Sequence, residues 1–410
     1  MDPVDLLEPI LQGGIRSVNF FTGRLLSAQD LQQQALAGQQ ANQQLGRSIG
    51  SGVASGLEVS AATAGDPTVT VAQGLAVARS GEVLELRCPI TVSLIQPAAP
   101  TTAASSPCNW FAPCGGPGAA TFVAGAGLYL LTICPASGSE GKAPVNGSAG
   151  SAPCNTQYNV QGVQFRLIPL PGFVASDLAD ARLRNRVAHQ CLGDDSQAAF
   201  VADPFAAPMT SYGLLDSLRP KPLTDCDVPL AIMYWATGSG LQFIDLWSVR
   251  RRVTAPAGAG RWDPAAGDRR RAEAQARFMQ FQTHLSDLLS SGASLSGVSA
   301  TQHFAFLPPA GLIPIIGDLP AERSISLFFG GLTTTNPVFI EAARVESILH
   351  ESLDYPPIDL TSGLAIRIYQ VRENAQAAAA QKYILFASGQ MPFHGEARFD
   401  VSHWDYSNFI

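Results

Sequence analysis

From Leu31 onward, apolar and small residues recur at alternating steps of four and three: Leu31, Ala35, Gly38, Asn42, Leu45 and Ile49. That spacing predicts a helix with a heptad-like seam on one face. A start signal precedes it, with Ser27 as N-cap and Asp30 at the third helical position. Leu26 and Leu31 are placed as a hydrophobic staple on either side. At about 1.5 Å per residue the helix is roughly 30 Å long. Between Ala28 and Gly46 the only charge is Asp30, and eight residues are Gln. A seam built partly from Ala, Gly and Asn buries little apolar area but lets another element come close. It suits docking better than a private core.

After Gly50 the pattern changes to short β-branched runs, at 53–59, 69–71, 75–77, 83–86 and 90–95, separated by Gly, Pro or Asp. They read as β-hairpins forming a small sheet on which the helix leans. Gly74 and Gly81 are placed at turns, where a left-handed backbone is cheapest for glycine. Glu82 to Leu86 alternates as a half-exposed strand.

Residues 97–127 are rich in Pro, Ala, Ser and Gly. A buried strand follows at 128–134, then a second Gly/Ser loop at 135–153, then a strand at 158–170. Residues 177–192 read as one helix, with Leu183, Val187 and Cys191 on its apolar face. Ser176 is its candidate cap, Gly193 its stop, and Arg182, Arg184 and Arg186 lie off that face. One more helical turn is expected at 213–218. The clearest hairpin joins 229–235 to 241–249 through Gly238-Ser239-Gly240. All four strands belong to one core sheet on this reading.

A Pro/Gly/Ala stretch at 254–263 is the best boundary. Beyond it a helix at 265–290 carries Ala274, Phe278, Phe281, Leu285 and Leu288, bulky enough to be core. Strands are expected at 302–307, 324–329, 365–371 and 382–387. Asn336 as N-cap and Pro337 at the first helical position start another helix, faced by Phe339, Ala342, Val345 and Leu349. Residues 375–380 read as a surface hairpin. The resulting class is α+β and β-rich. It has an adaptor module at 1–97, a β-rich central domain at 98–253 and a C-terminal α+β domain at 254–410.

Composition narrows the function. The chain has 410 residues, 46% hydrophobic and 14% charged, with 38 Gly and 29 Pro. A net charge of -7 argues against nucleic acid, which needs a basic field. No export signal is visible near Met1, and no run of 18 apolar residues is present to span a membrane. Seven cysteines, an odd number, read as reduced and cytoplasmic. Buried small hydrophobes is the favoured reading for them. A metal or disulfide staple among Cys108, Cys114, Cys134 and Cys154 is the alternative, weakened by the absence of a C-x-x-C pair.

Asn19-Phe20-Phe21-Thr22-Gly23-Arg24-Leu25-Leu26-Ser27-Ala28-Gln29-Asp30-Leu31, followed by Gly52-Val53-Ala54-Ser55-Gly56-Leu57-Glu58-Val59, resembles the N-terminal module of a family of phage-tail-like structural proteins. The likeness covers residues 18–88. Members often carry basic and His-containing helices where this chain has its Gln run. The resemblance implies a component of a phage tail or contractile injection system, at the baseplate or a fibre-like attachment. Together with the seam it nominates Phe20, Phe21, Gly23, Leu31, Ala35, Gly38, Asn42, Leu45 and Ile49 as partner-docking residues.

Patterns for catalysis are missing. No G-x-S-x-G elbow and no phosphate-binding G-x-x-x-x-G-K-[ST] loop occurs, and His350-Glu351 lacks the second His of a zinc-protease helix. Two clusters remain. His394, Glu396, Asp400, His403 and Asp405 crowd near the C-terminus, where a polar edge strand with an aromatic tail is favoured over a metal site. Arg250-Arg251-Arg252 and Arg269-Arg270-Arg271 flank the boundary. They read either as solvated ends of a strand and a helix or as a clasp for an anionic surface. The sequence therefore points to a structural protein, not an enzyme, without cofactor or metal. It would be made in the cytoplasm and assembled, as a homo-oligomer, with other particle subunits. The alternative is a module that binds a cell-surface glycan or receptor through exposed Trp and Tyr.

Overall fold

The computed structural model describes residues 14–61, 67–95, 112–113, 123, 125–142, 156–173, 175–193, 213–254, 268–290, 298–315, 321–375 and 382–395. The first helix, α1 (Ala28–Ile49), starts where its cap predicts. The Asp30 amide donates to Ser27 Oγ at 3.1 Å and the Ser27 amide to Asp30 Oδ2 at 2.9 Å, a complete capping box. That Ser27 amide bond, with the Ser27 hydroxyl and Arg24 adding to it, holds the Asp30 carboxyl below its usual range. Gly50 stops the helix at a φ of 115°, its amide returning to the Gly46 carbonyl.

Six short strands follow: β1 (Gly52–Gly56), β2 (Val59–Ala61), β3 (Thr68–Val71), β4 (Gly74–Val77), β5 (Val83–Leu86) and β6 (Ile90–Ser93). They make two antiparallel sheets, ordered β1-β4-β5 and β2-β3-β6, where one was expected. The predicted run at 53–59 breaks at Leu57, fully buried with a φ of 61°, and there the chain passes from one sheet to the other. Gly81 has the left-handed backbone its turn requires, with a φ of 89°. Gly74 does not sit in a turn. It opens β4 and is needed for close approach, since a Cβ there would lie 2.3 Å from the Ser55 carbonyl oxygen. Val83 and Glu85 face solvent while Leu84 is buried, as the alternation predicts.

In the next part, β7 (Ala112–Pro113), β8 (Gly127–Lys142) and β9 (Thr156–Pro169) precede two helices, α2 (Ala175–Leu178) and α3 (Leu183–Leu192). The turn α4 (Gly213–Ser217) leads to β10 (Val228–Ala236) and β11 (Gly240–Asp245). The core sheet holds all four expected strands, with β8 between β9 and β10 and β11 outside β10. Two expectations fail. Residues 135–142 are no loop: β8 continues past Cys134 because β9 pairs with it to the end, Lys142 against Thr156. The helix expected at 177–192 is two pieces, with Ser176 inside the first of them. Leu183, Val187 and Cys191 are nonetheless buried together, and Gly193 ends α3 in the αL conformation.

One core runs across position 97. Val53, Leu57, Val69, Val71 and Leu84 pack in the same cluster as Tyr129, Leu131, Ile133 and Leu230. The β-sheets of the first hundred residues thus cover one face of the central sheet, and α3 packs on Leu128, Leu130 and Ile168 from the other. The C-terminal part comprises α5 (Asp268–Ser290), α6 (Ala300–His303), β12 (Phe306–Leu307), β13 (Ala310–Pro314), α7 (Ala321–Phe328), β14 (Val338–Ile340), α8 (Ala342–Ser352), β15 (Ile358–Asp359), β16 (Ile366–Val371) and β17 (Tyr383–Ser388). Its sheet has the order β13-β17-β16-β14. Phe281 and Leu285 of α5 are core, as their size predicts. Residues 324–329 are mostly helix, not strand: Ser324, Ile325 and Phe328 are buried at helical spacing. Most of 302–307 is likewise not strand. The helix expected from Asn336 starts at Ala342, because Val338–Ile340 is taken into the sheet, parallel to β16. The hairpin expected at 375–380 lies, apart from Ala375, outside the described residues.

The cysteines divide. Cys134 and Cys191 are free and buried, and Cys88 is free and exposed. Burial pushes the Cys134 thiol up to about 11 and the Cys191 thiol up to about 12, so both are inert at neutral pH. Cys226 is disulfide-bonded, which corrects the reading of all seven as reduced, and removes Cys134 from any disulfide staple. Cys108, Cys114 and Cys154 lie outside the described residues. Peptide mapping without reductant is expected to recover Cys226 only in a linked peptide, with Cys134 and Cys191 alkylated only after unfolding. Ready alkylation of Cys226 in the native protein would contradict that assignment.

Candidate functional site

Helix α1 is held along two stretches. Near its start, Gln33 Nε2 donates to the Arg16 carbonyl at 2.8 Å, and Gln34 Oε1 accepts from the Val18 amide at 3.1 Å. Arg24 reaches Asp30 at 2.6 Å and the Asn19 carbonyl at 2.6 Å. Part of the Gln run therefore ties down the segment before the helix. Near its end, Gln43 Nε2 donates to Glu82 Oε1 at 3.0 Å, and Gly46 presses on the β4–β5 turn. A Cβ on Gly46 would lie 2.1 Å from the Gly81 carbonyl oxygen, and one on Gly81 would lie 1.9 Å from the Gln43 carbonyl oxygen. Backbone meets backbone there. Gly46→Ala is expected to prise α1 off the turn and cost about 1–3 kcal/mol, read as a lower denaturant midpoint with far-UV helicity reduced. A variant as stable as the parent would mean this contact carries nothing.

The seam runs alongside the second of these anchors, whose Gln43, Gly46, Gly81 and Glu82 line the same groove. Ala35, Gly38, Asn42, Leu45 and Ile49 are all exposed, Leu45 at 61% and Ile49 at 54%. They line one side of an open groove of about 860 Å³. Pro135, Ala136 and Ser137 of β8 and Gln161 and Gly162 of β9 line the groove as well, with Val83. The groove thus lies between the seam and the segment of β8 that the sequence reads as loop. A Cβ on Gly38 would meet nothing within 4 Å.

Not every nominated residue reaches this groove. Phe20, Phe21, Gly23 and Leu31 are exposed but absent from its lining. Phe21 stacks under the Arg24 guanidinium at 6.0 Å, and Gly23 turns the chain at a φ of 91°.

The arginine triplets are not solvated ends. Arg250 is buried and donates to the Gly56 carbonyl. Arg251 donates to the carbonyls of Trp247, Ser248 and Arg250, and Arg269 pairs with Asp216 and Glu273. Only Arg252 and Arg271 are exposed as expected. The reason is position: residues 251–254 are bridged to Ser51 and Val53 at the start of β1. Of the C-terminal cluster only His394 is described, 2.7 Å from Glu351; Glu396, Asp400, His403 and Asp405 lie outside the described residues.

A second polar knot was missed entirely. Arg184 is buried between Asp245 at 2.6 Å and Asp287 at 2.7 Å. Ser248 and Gln280 also donate to Asp245. Burial works to raise the Asp245 carboxyl, but Arg184 and these donors outweigh it and leave it below its usual value. Beside them His284 is buried with its Nδ1 unpartnered, and burial pushes it down to about 3. Among the described residues no cluster of His, Cys, Asp or Glu could hold a metal ion, and no helix is long and apolar enough to cross a membrane.

No protein-family model matches the chain, and no curated protein matches it. Among solved structures it is similar to a chain of the baseplate complex from the type VI secretion system. The two are 11% identical, the match covers 83% of this chain and 82% of that one, and the TM-score is 0.26. That score lies below the level at which two chains are taken to share a fold.

Proposed function

We propose that the chain is a structural, non-enzymatic subunit of a phage-tail-like contractile injection particle, at the baseplate or a fibre-like attachment. It acts by accepting a helix of a neighbouring subunit into the groove beside α1. The observation that carries this reading is the seam itself: a capped, anchored helix with exposed Leu45 and Ile49 and an open position at Gly38. The resemblance of residues 18–88 to phage-tail-like modules supplies the setting.

A helix is the occupant that fits the spacing, since steps of four and three accept knobs from a second helix. The groove-side residues of α1 carry no charge, so the facing surface is apolar or amide-bearing. Covering the exposed half of Leu45 and of Ile49 contributes roughly 1 kcal/mol each. Asn42 supplies an amide whose partners set register. Electron microscopy of particles purified gently from native cells, with this chain identified by mass spectrometry, tests the placement. A map in which the seam faces solvent at every copy of the chain would overturn it. Light scattering at tens of micromolar distinguishes a second copy of this chain from a different subunit as the donor of the helix.

A further inference from the structure

Five arginines from five separate segments line a cavity of about 400 Å³, which meets the groove beside α1 at Val77. Arg47 comes from the last turn of α1, Arg79 follows β4, and Arg219 follows α4. Arg251 lies in the segment bridged to β1, and Arg269 in the first turn of α5.

The carboxylates beside them do not balance this charge. Asp227 lines the cavity but is taken by Arg166, which is not part of the lining, at 2.5 Å. The Thr132 and Thr224 hydroxyls and the Thr224 amide fill its remaining positions. Asp216 is shared by Arg79 at 3.1 Å and Arg269 at 2.7 Å, and Glu273 adds to Arg269 at 3.0 Å. Exposed Asp225 serves Arg219 at 3.2 Å. Among the described residues of the lining, Asp216, Glu273 and Asp225 thus stand against five arginines, an excess of two positive charges.

Their location follows from the bonds. Among the described residues, the Arg251 guanidinium hydrogen-bonds the carbonyls of Trp247, Ser248 and Arg250 and no carboxylate, with Glu273, already bonded to Arg269, acting on it through space. Arg47 meets only the Gln43 carbonyl of its own helix, at 3.5 Å. Burial, with Arg79 adding like charge, pushes Arg219 down to about 10, and burial also lowers Arg251. Glu273 opposes that fall at Arg251, and Asp225 and Asp216 oppose it at Arg219, but the same carboxylates also serve Arg79 and Arg269.

We propose that this cavity binds a doubly charged oxyanion of the phosphate type, held chiefly by Arg47 and Arg251. Guanidinium groups present paired donors that match the oxygens of such an anion, and a phosphate group carries about −1.5 to −2 charge at neutral pH. The bound anion would join the end of α1 to the 251–254 segment and to α5. It would fix the docking helix to the body of the protein.

Calorimetric titration of the full chain with inorganic phosphate, and separately with glycerol phosphate, tests this against sodium chloride. One saturable site is expected, with a melting temperature raised by about 2 °C or more at saturation. Saturation by inorganic phosphate alone identifies a free ion as the source; tighter binding of glycerol phosphate identifies a phosphate ester. Arg47→Gln, on the exposed side of α1, is expected to weaken binding at least tenfold with the melting temperature in chloride unchanged. Arg87→Gln, at an exposed arginine outside the cavity, is expected to bind as the parent does. Absence of binding by either phosphate overturns the proposal. So does an Arg47→Gln protein that binds at parental affinity, or an equal loss in Arg87→Gln.

Discussion

Gly38→Leu is expected to leave the folded chain at least as stable as the parent while abolishing its entry into particles. The two effects have opposite signs for separate reasons. In the isolated chain a new side chain at position 38 points into open space, since a Cβ there has no neighbour within 4 Å. Removing glycine from a helix interior is favourable by roughly 1 kcal/mol on the propensity scale. In the assembly proposed above, the same side chain would occupy the volume of the partner helix. Overpacking of this kind costs about 1–3 kcal/mol at each interface, repeated over every copy in the particle. Denaturant unfolding of the purified variant, beside quantification of the chain in purified particles, measures both halves. A variant of parental stability that enters particles normally would show that this face touches nothing. Joint loss of folding and assembly would show that the seam is packed within its own chain.

The second large effect lies in acid. His284 is held neutral in the fold, with a pKa pushed down to about 3 by burial, and by Arg184 against the opposing pull of Asp245. The unfolded chain binds a proton there below about 6.5. Stability is therefore fully present above that value and lost as pH falls toward 3, at about 1.4 kcal/mol per pH unit. Neighbouring His303 is also lowered by burial and acts in the same direction. Asp245, being lowered, adds its own loss only below the ordinary carboxylate range. Glu273, raised by burial, has the opposite sign: its contribution favours the fold at low pH and fades as pH rises above 4.5. Comparison of His284→Leu with the parent isolates the one group. Unfolding free energies measured from pH 7 to 4 are expected to fall less steeply for the variant, by about one proton's worth. Parallel curves would mean that His284 titrates in the fold as it does outside it.

The legible parts of this chain are those where one signal dominates. The α1 cap is readable because Ser27 and Asp30 satisfy each other's amides without help from elsewhere. The β10–β11 hairpin is readable because its Gly-Ser-Gly turn and its long apolar strands agree. Strand β8 past Cys134 is different. Pro135, Gly138 and Gly141 suppress every local preference for strand, and only pairing with β9 extends it. Position 324 shows the ambiguity of short apolar runs: Ser324, Ile325 and Phe328 fit a strand by composition and a helix by burial. The seam of α1 could be read from spacing alone, but Pro135, Ala136 and Ser137 across the groove come from that hidden extension of β8. Arg184 and Arg251 were misjudged for a related reason. A charge is placed inside a protein by partners distant in sequence, Asp245 and Asp287 in one case and backbone carbonyls in the other.

The glutamine-rich composition of α1 has a further consequence. Charged interfaces weaken as added ions screen them, over a Debye length of about 8 Å at physiological ionic strength. The seam of α1 has amides, methyl groups and a bare glycine in place of charges. An interface of the kind proposed, formed through this seam, would hold together by shape and exclusion of water, with Glu82 the one charge among the described residues of the groove, and would depend little on the salinity of the medium.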